Sequence, residues 1–382
     1  MRYKNKKVLA IGASGFIGTR LIEKLTLEEG ANVIGMVNTW NKAVWVCRTT
    51  AELHQCDIKE IEKNEYLFKD IDIVFHLATF GGNKETCNRI NVGGTRSVIN
   101  MCQKHNIKRL IFLSSVAVNG PSIPEGLNES APYRPEYESI YANSKIEAEK
   151  LFLSMPDSAE LEWTIIRPTY VWGLNSPLFT LKQIEMMRQG RFETIDEGKG
   201  KFNGIYIDNL IELTLIAGSH PNANRQVFMI RDMEKKTWGD LWNEYAKILN
   251  LSASARIFKT YSSSKVLKIA GTSRGKMFLK GINLSAKVVK KSDQLIHKNT
   301  NAIAGIPLKV MRQVFDLLRK QLLLIRPSNF DQWDTLKFSS PGYIDMSKSV
   351  NLLNYVPVKD HDQAFADTKL WLEVHVLDTK SF

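Results

Sequence analysis

The 382-residue chain has only four cysteines, and they are scattered: Cys47, Cys56, Cys87 and Cys102. No CxxC pair occurs, and no histidine cluster sits near them. A structural zinc site and a disulfide framework are therefore not expected, and no metal is assigned. Long apolar runs are missing too; none approaches the ~18 residues of a membrane span. The N-terminal stretch MRYKNKKVLAIGASG is basic and then apolar, but it breaks at a glycine loop. That is too short for a signal peptide and reads as a first strand, so a cytoplasmic location is expected.

Acidic residues are scarce in one region. Between residues 253 and 330 there are sixteen Lys or Arg and two Asp, a local net of +14 in a chain of net charge +12. The rest of the chain is close to neutral, so any partner chosen by charge belongs to that segment.

What is present is a rhythm. KVLAIG (7–12), NVIGMV (32–37), DIVFHLA (72–78), RLIFLSS (109–115) and WTIIRP (163–168) read as strands. Their unalternating Val, Ile, Leu and Phe suit strands buried on both faces. Between them lie longer stretches with helical apolar spacing. The pattern predicts an α/β fold: a Rossmann-type doubly wound parallel sheet with a smaller C-terminal substrate-binding domain. Residues 1–170 form the expected nucleotide-binding domain, with returns near 203–220. Residues 171–382 form the substrate-binding region. Thr237 reads as the N-cap of a helix over TWGDLWNEYAKILN.

The loop after the first predicted strand carries Gly12, Gly15 and Gly18, with Phe16 and Ile17 between the last two. Three glycines there allow a tight turn, close approach to a pyrophosphate, and close helix–strand packing. The following helix then turns its N-terminus toward the phosphates. The spacing is GxxGxxG rather than the commoner GxGxxG. At the end of the second strand Asn38 stands where a carboxylate would select NAD, with Lys42 and Arg48 downstream. NAD(P) is the expected cofactor, with a lean to NADP.

Tyr-x-x-x-Lys occurs four times, at Tyr3/Lys7, Tyr141/Lys145, Tyr261/Lys265 and Tyr355/Lys359. Tyr3 precedes the first strand and cannot reach the carboxyl edge of the sheet. Tyr261 has no strand-end serine before it. Tyr141 follows a strand ending in Ser114–Ser115 and opens a helix, where residues four apart share a face.

As an ensemble, GASGFIG, DIVFHLAT, NVGGT, RLIFLSSVAVNG, YANSKIEAE, RPTYVWG and YIDNL resemble the extended short-chain dehydrogenase/reductase family, the NAD-dependent epimerase/dehydratase group. The resemblance covers roughly residues 5–250. It implies Tyr141 as acid–base residue, Lys145 as its charge partner and ribose anchor, and Ser115 as anchor of the substrate oxygen, with Ser114 the more structural neighbour. It implies Asp57 and Ile58 beside the adenine, and Leu77, Ala78 and Thr79 along the ribose and phosphates. It places Asn91, Pro168 and Thr169 near the nicotinamide half. His76 is read as structural or cofactor-side. Val116 and Ala117 replace the acidic pair of the family's sugar dehydratases, which disfavours that reaction.

The expected activity is NAD(P)-dependent oxidoreduction or epimerisation at a carbinol carbon, of a nucleotide sugar first. The alternatives are a lipid-linked or sterol-like alcohol handled at a membrane surface, and a non-enzymatic nucleotide sensor on the same fold. The partner is a small-molecule substrate, with a homodimer as a further candidate. IPLKVMRQVFDLLRKQLLLI (306–325) has an apolar and a basic helical face. It is a cap helix in one reading and an anionic-membrane contact in the other. Aromatics are not interleaved with the basic residues of 253–330 in any stacking pattern, so nucleic acid is disfavoured.

Overall fold

The computed structural model describes residues 1–251, 258–271 and 330–377. Seven parallel strands form the central sheet: β1 (Lys7–Ile11), β2 (Asn32–Val37), β3 (Glu52–Gln55), β4 (Ile73–His76), β5 (Arg109–Leu113), β6 (Glu162–Pro168) and β7 (Gln226–Ile230). Their order is β7-β6-β5-β4-β1-β2-β3. The order reverses between β1 and β4, which pair directly. In open α/β sheets ligands settle at the carboxyl ends of the strands at such a switch point.

Both faces of the sheet are covered. Along β1, Val8 and Ala10 join one apolar cluster while Leu9 and Ile11 join the other. Along β5, Ile111 and Leu113 divide from Leu110 and Phe112 in the same way. This is why the strands read as continuous apolar runs. Helix α1 (Phe16–Leu27) buries Leu21, Ile22 and Leu25. Each such side chain contributes roughly 1.5–3 kcal/mol relative to exposure.

Helices α2 (Thr95–Lys104) and α3 (Ile140–Leu153) cross between strands, and α4 (Ile207–Ser219) leads back to β7. The sheet thus takes its last strand from residues 226–230, beyond the expected returns at 203–220. β3 was not anticipated: it is four residues long and only half-buried, so its pattern is weak. The stretch before α2 is a π-type turn over Asn88–Gly94 rather than a continuous α-helix.

The second half packs on aromatic side chains. Helix α5 (Trp238–Ile248) begins at Thr237, whose side chain forms a capping box with Asp240. Trp238 lies 4.6 Å from Phe202 and 4.7 Å from Phe338, centroid to centroid. Phe338 ends the short helix α6 (Gln332–Phe338) and so pins it to this core. Helix α7 (His361–Leu372) closes the described chain, and His361 bonds Glu244 of α5 at 2.9 Å. Among the described residues no helix is long and apolar enough to cross a membrane. The amphipathic pattern at 306–325 lies outside the described residues.

Candidate active site

Four strand ends converge on one edge of the sheet: the glycine loop after β1, Leu77–Thr79 after β4, Ser114–Ser115 after β5, and Thr169 after β6. Two cavities open there, of about 510 Å³ and about 460 Å³, and Phe16, Ile17, Leu77 and Thr79 line both.

The larger cavity is the glycine-loop cleft. Gly12 has φ +93°, and a Cβ on it would meet the Ala78 nitrogen at 2.7 Å. A Cβ on Gly18 would meet the Gly12 carbonyl oxygen at 2.1 Å. These two glycines let the loop, β4 and α1 close on each other. Gly15 is the N-cap of α1 and offers no side-chain cap, leaving first-turn N–H groups for a phosphate. Asn38, Asp57, Ile58 and Ala78 line the same cleft. The cradle and the cleft suit a dinucleotide, with its pyrophosphate at the loop. Asp57 accepts the Lys59 N–H at 3.0 Å and pairs with its ammonium at 2.9 Å.

The coenzyme-selecting cations need a correction. Lys42 lines the cleft and is exposed. Arg48 does not line it: its guanidinium pairs with Glu23 and lies 5.1 Å from the Trp45 ring. Lys59 and Cys56 join the lining unforeseen.

The smaller cavity holds Ser115, Tyr141, Lys145, Pro168 and Thr169 together. Helix α3 starts where Ser139 accepts the Ala142 N–H, which sets Tyr141 in the first turn and Lys145 one turn on. Burial pushes the Tyr141 hydroxyl above its ordinary value, while hydrogen bonds with Thr79 and Ser115 pull the other way. Lys145 is buried one turn further along the helix. Its ammonium donates to the Leu113 carbonyl at 2.8 Å and sits 4.6 Å from the Phe112 ring. Burial lowers it to about 7, against the upward pull of the Glu149 carboxylate.

Glu149 lies one turn beyond Lys145 and is fully buried. Arg167 of β6 grips it with bonds of 2.6–3.2 Å, Tyr133 donates to it at 2.8 Å, and the Ser114 hydroxyl donates to it as well. One buried ion pair thus joins the catalytic helix, the end of β5 and β6. Ser114 is accordingly a scaffold residue by its hydroxyl, although it also borders the cavity. Thr169 likewise turns its hydroxyl to the Ile230 carbonyl at 2.8 Å.

Asn91 is a second correction, since it lines neither cavity. Its amide nitrogen bonds the Phe80 carbonyl at 2.9 Å and Ser144 at 2.8 Å, and its oxygen accepts the Phe80 N–H at 2.8 Å. It holds the loop after β4 against α3 instead of facing a cofactor. His76 is buried, bonds Thr95 at 2.9 Å, and is lowered to about 3 by burial and by Lys145. It is a neutral structural ring.

The remaining Tyr-x-x-x-Lys matches lie elsewhere. The Tyr3 hydroxyl bonds the Leu215 carbonyl at 2.6 Å, Tyr261 bonds Glu193 at 3.1 Å, and the Tyr355 hydroxyl bonds the Asn209 carbonyl at 3.2 Å. No motif marks Trp333 and Lys337, which reach the smaller cavity from α6 near the other end of the chain. Ser139 was legible only as a residue preceding a helix.

Comparison with known proteins bears on the family and the fold. Residues 9–233 match the 3-beta hydroxysteroid dehydrogenase/isomerase family. A UDP-glucose 4-epimerase of Vibrio cholerae is 28% identical over 261 residues, 64% of this chain and 76% of that protein. A 2-alkyl-3-oxoalkanoate reductase of Shewanella oneidensis is 27% identical over 247 residues, 61% of this chain and 63% of that one. The chain thus spans under two thirds of the second relative's length. Among solved structures, a UDP-glucuronic acid 4-epimerase from Bacillus cereus in complex with NAD superposes with a TM-score of 0.68 at 17% identity, covering 96% of each chain. That likeness shows the fold.

Proposed function

The chain belongs to the 3-beta hydroxysteroid dehydrogenase/isomerase family, and from that premise we propose that it is an NAD(P)-dependent oxidoreductase acting on a secondary alcohol or ketone of an apolar small molecule. The observation that carries this reading is the meeting of Ser115, Tyr141 and Lys145 in a cavity walled largely by apolar side chains, among them Val116, Pro121, Val171, Leu178 and Phe179. That cavity shares four residues with the glycine-loop cleft.

When bound, the nicotinamide supplies or takes up a hydride. The chain's own residues handle the oxygen and its proton. Ser115 orients the substrate oxygen, and Tyr141 gives or takes the proton there. A tyrosine of ordinary pKa ~10, raised further by burial, is a poor base unless a cation favours its phenolate. Lys145, the next turn along the same helix, is the cation available, and Glu149 helps to keep it charged.

NADP is the proposed coenzyme form. Asn38 is uncharged where a carboxylate would repel a 2′-phosphate, and exposed Lys42 is placed to receive one. The proposal extends to an anionic membrane surface contacted by 306–325, on the strength of that segment's basic charge. Salt-sensitive sedimentation with anionic vesicles supports it, and absence of binding removes it.

A second reading, epimerisation of a nucleotide sugar with the same three residues, is favoured by the Vibrio cholerae relative. Assays of nicotinamide reduction with hydrophobic secondary alcohols, beside an epimerisation assay with UDP-glucose, separate the two. Turnover of the alcohols alone supports the first reading. Turnover of UDP-glucose alone replaces it with the second.

A further inference from the structure

The smaller cavity carries a cation that the proton chemistry does not use. Among the described residues lining it, Lys145 and Lys337 are the charged ones, and no carboxylate joins them. Lys145 is buried and engaged with the Leu113 carbonyl. Lys337 enters from α6, four residues after Trp333, so the two share the helix face that closes the cavity.

The position of Lys337 is fixed by its surroundings. Its neighbour Phe338 is buried against Trp238 and Trp242. Trp333 meets Tyr137 edge-on, with centroids 6.2 Å apart. The Lys337 ammonium lies 4.4 Å from the Phe338 ring centroid and 6.0 Å from that of Phe179, which also lines the cavity. Its side chain is 15% exposed.

Among the described residues its ionic partner is Asp334, three residues back on the same helix, at 2.5 Å. Asp334 is 38% exposed and does not line the cavity. With the Asp334 carboxylate open to solvent, water competes with the lysine for it. A ligand anion inside the cavity, with apolar walls around it, meets less competition from water than Asp334 does. Lys337 can therefore exchange or share its partner at little cost.

We propose that Lys337 is an anion-recognition residue of the substrate cavity, and that the substrate joins an apolar body and a reacting carbinol or ketone to one anionic group, a carboxylate or a phosphate. The inference rests on the oxidoreductase reading of the same cavity and adds the charge of the substrate to it.

The test is binding, which does not depend on turnover. A long-chain 3-hydroxy acid, its methyl ester and UDP-glucose are titrated by calorimetry into the NADP-loaded full chain, as wild type, Lys337→Met, Lys337→Arg and Asp334→Asn. The expected result is an acid-to-ester affinity ratio that falls at least tenfold in Lys337→Met. The ratio is kept in Lys337→Arg and rises in Asp334→Asn, where the lysine is released from its helical partner. A tenfold loss for UDP-glucose in Lys337→Met identifies the anion as phosphate and supports the same residue role. If neither anion loses affinity relative to the ester, the proposal is overturned, whatever the enzyme turns over. If the ratio behaves as expected but the wild-type chain reduces no nicotinamide with the 3-hydroxy acid or any other secondary alcohol, the oxidoreductase reading fails and the anion site stands.

Discussion

The Lys145 ammonium donates to the carbonyl oxygen of Leu113, the last residue of β5, at 2.8 Å. The protein thus buries a lysine on the end of a strand, one helical turn from Tyr141. Burial lowers its pKa from 10.5 to about 7. Between those values the unfolded chain binds the proton more tightly than the folded one, so stability rises with pH across this window. The contribution is complete above about pH 10.5 and is lost as pH falls through about 7. Lys145→Met removes the titration. It is expected to raise the melting temperature most at pH 6, with a gain that shrinks toward pH 10. A gain independent of pH would argue against a buried titrating ammonium.

The Glu149–Arg167 pair makes a second prediction. Removing one partner of a buried pair leaves an uncompensated charge and costs about 3–5 kcal/mol. Glu149→Leu should lose that much in denaturant melts. Glu149→Leu with Arg167→Met should recover most of it, because apolar replacement of both partners is often neutral. Turnover should stay depressed in the double variant, since Ser114 and α3 lose their shared anchor.

The glycine loop can be tested residue by residue. Gly12→Ala forces an unfavourable backbone angle and drives a methyl group to 2.7 Å from the Ala78 nitrogen. Backbone strain of this kind costs about 1–3 kcal/mol. Dinucleotide affinity by calorimetry should fall at least tenfold. Gly81→Ala, where a Cβ meets nothing within 4 Å, should bind as the wild type does.

Coenzyme choice should follow Lys42 and not Arg48. Losing a charge-assisted bond to a phosphate costs about 1.5–3 kcal/mol. Lys42→Ala should therefore raise KM for NADP roughly tenfold or more and leave KM for NAD near its starting value. Arg48→Ala, which removes a partner of Glu23 and Trp45, should move both constants together or not at all.

The features legible in the sequence are the local ones. Tyr141 and Lys145 are four apart on a helix that follows a Ser-Ser strand end, so distance along the chain already gave their relation. Strands β1, β2, β4, β5 and β6 announced themselves because each is apolar on both faces. The invisible features depend on tertiary closure. Nothing in the sequence pairs Glu149 with Arg167, which lie on different elements. Asn91 carried a family motif but spends its amide on Phe80 and Ser144. Arg48 counted as a free cation until the fold gave it Glu23. Lys337 comes from α6, and only the packing of Phe338 brings it to the cavity.

The central claim is that Tyr141 moves the proton at the substrate oxygen. Tyr141→Phe deletes one hydroxyl and keeps the ring, so the cleft around Gly12, Gly15 and Gly18 is left alone. The decisive measurement is turnover and dinucleotide affinity on that variant, side by side with wild type. Proton transfer by a placed side chain is worth roughly 10²–10⁴-fold in rate. The account predicts a loss of turnover in that range with NADP affinity within threefold of wild type; undiminished turnover would contradict it.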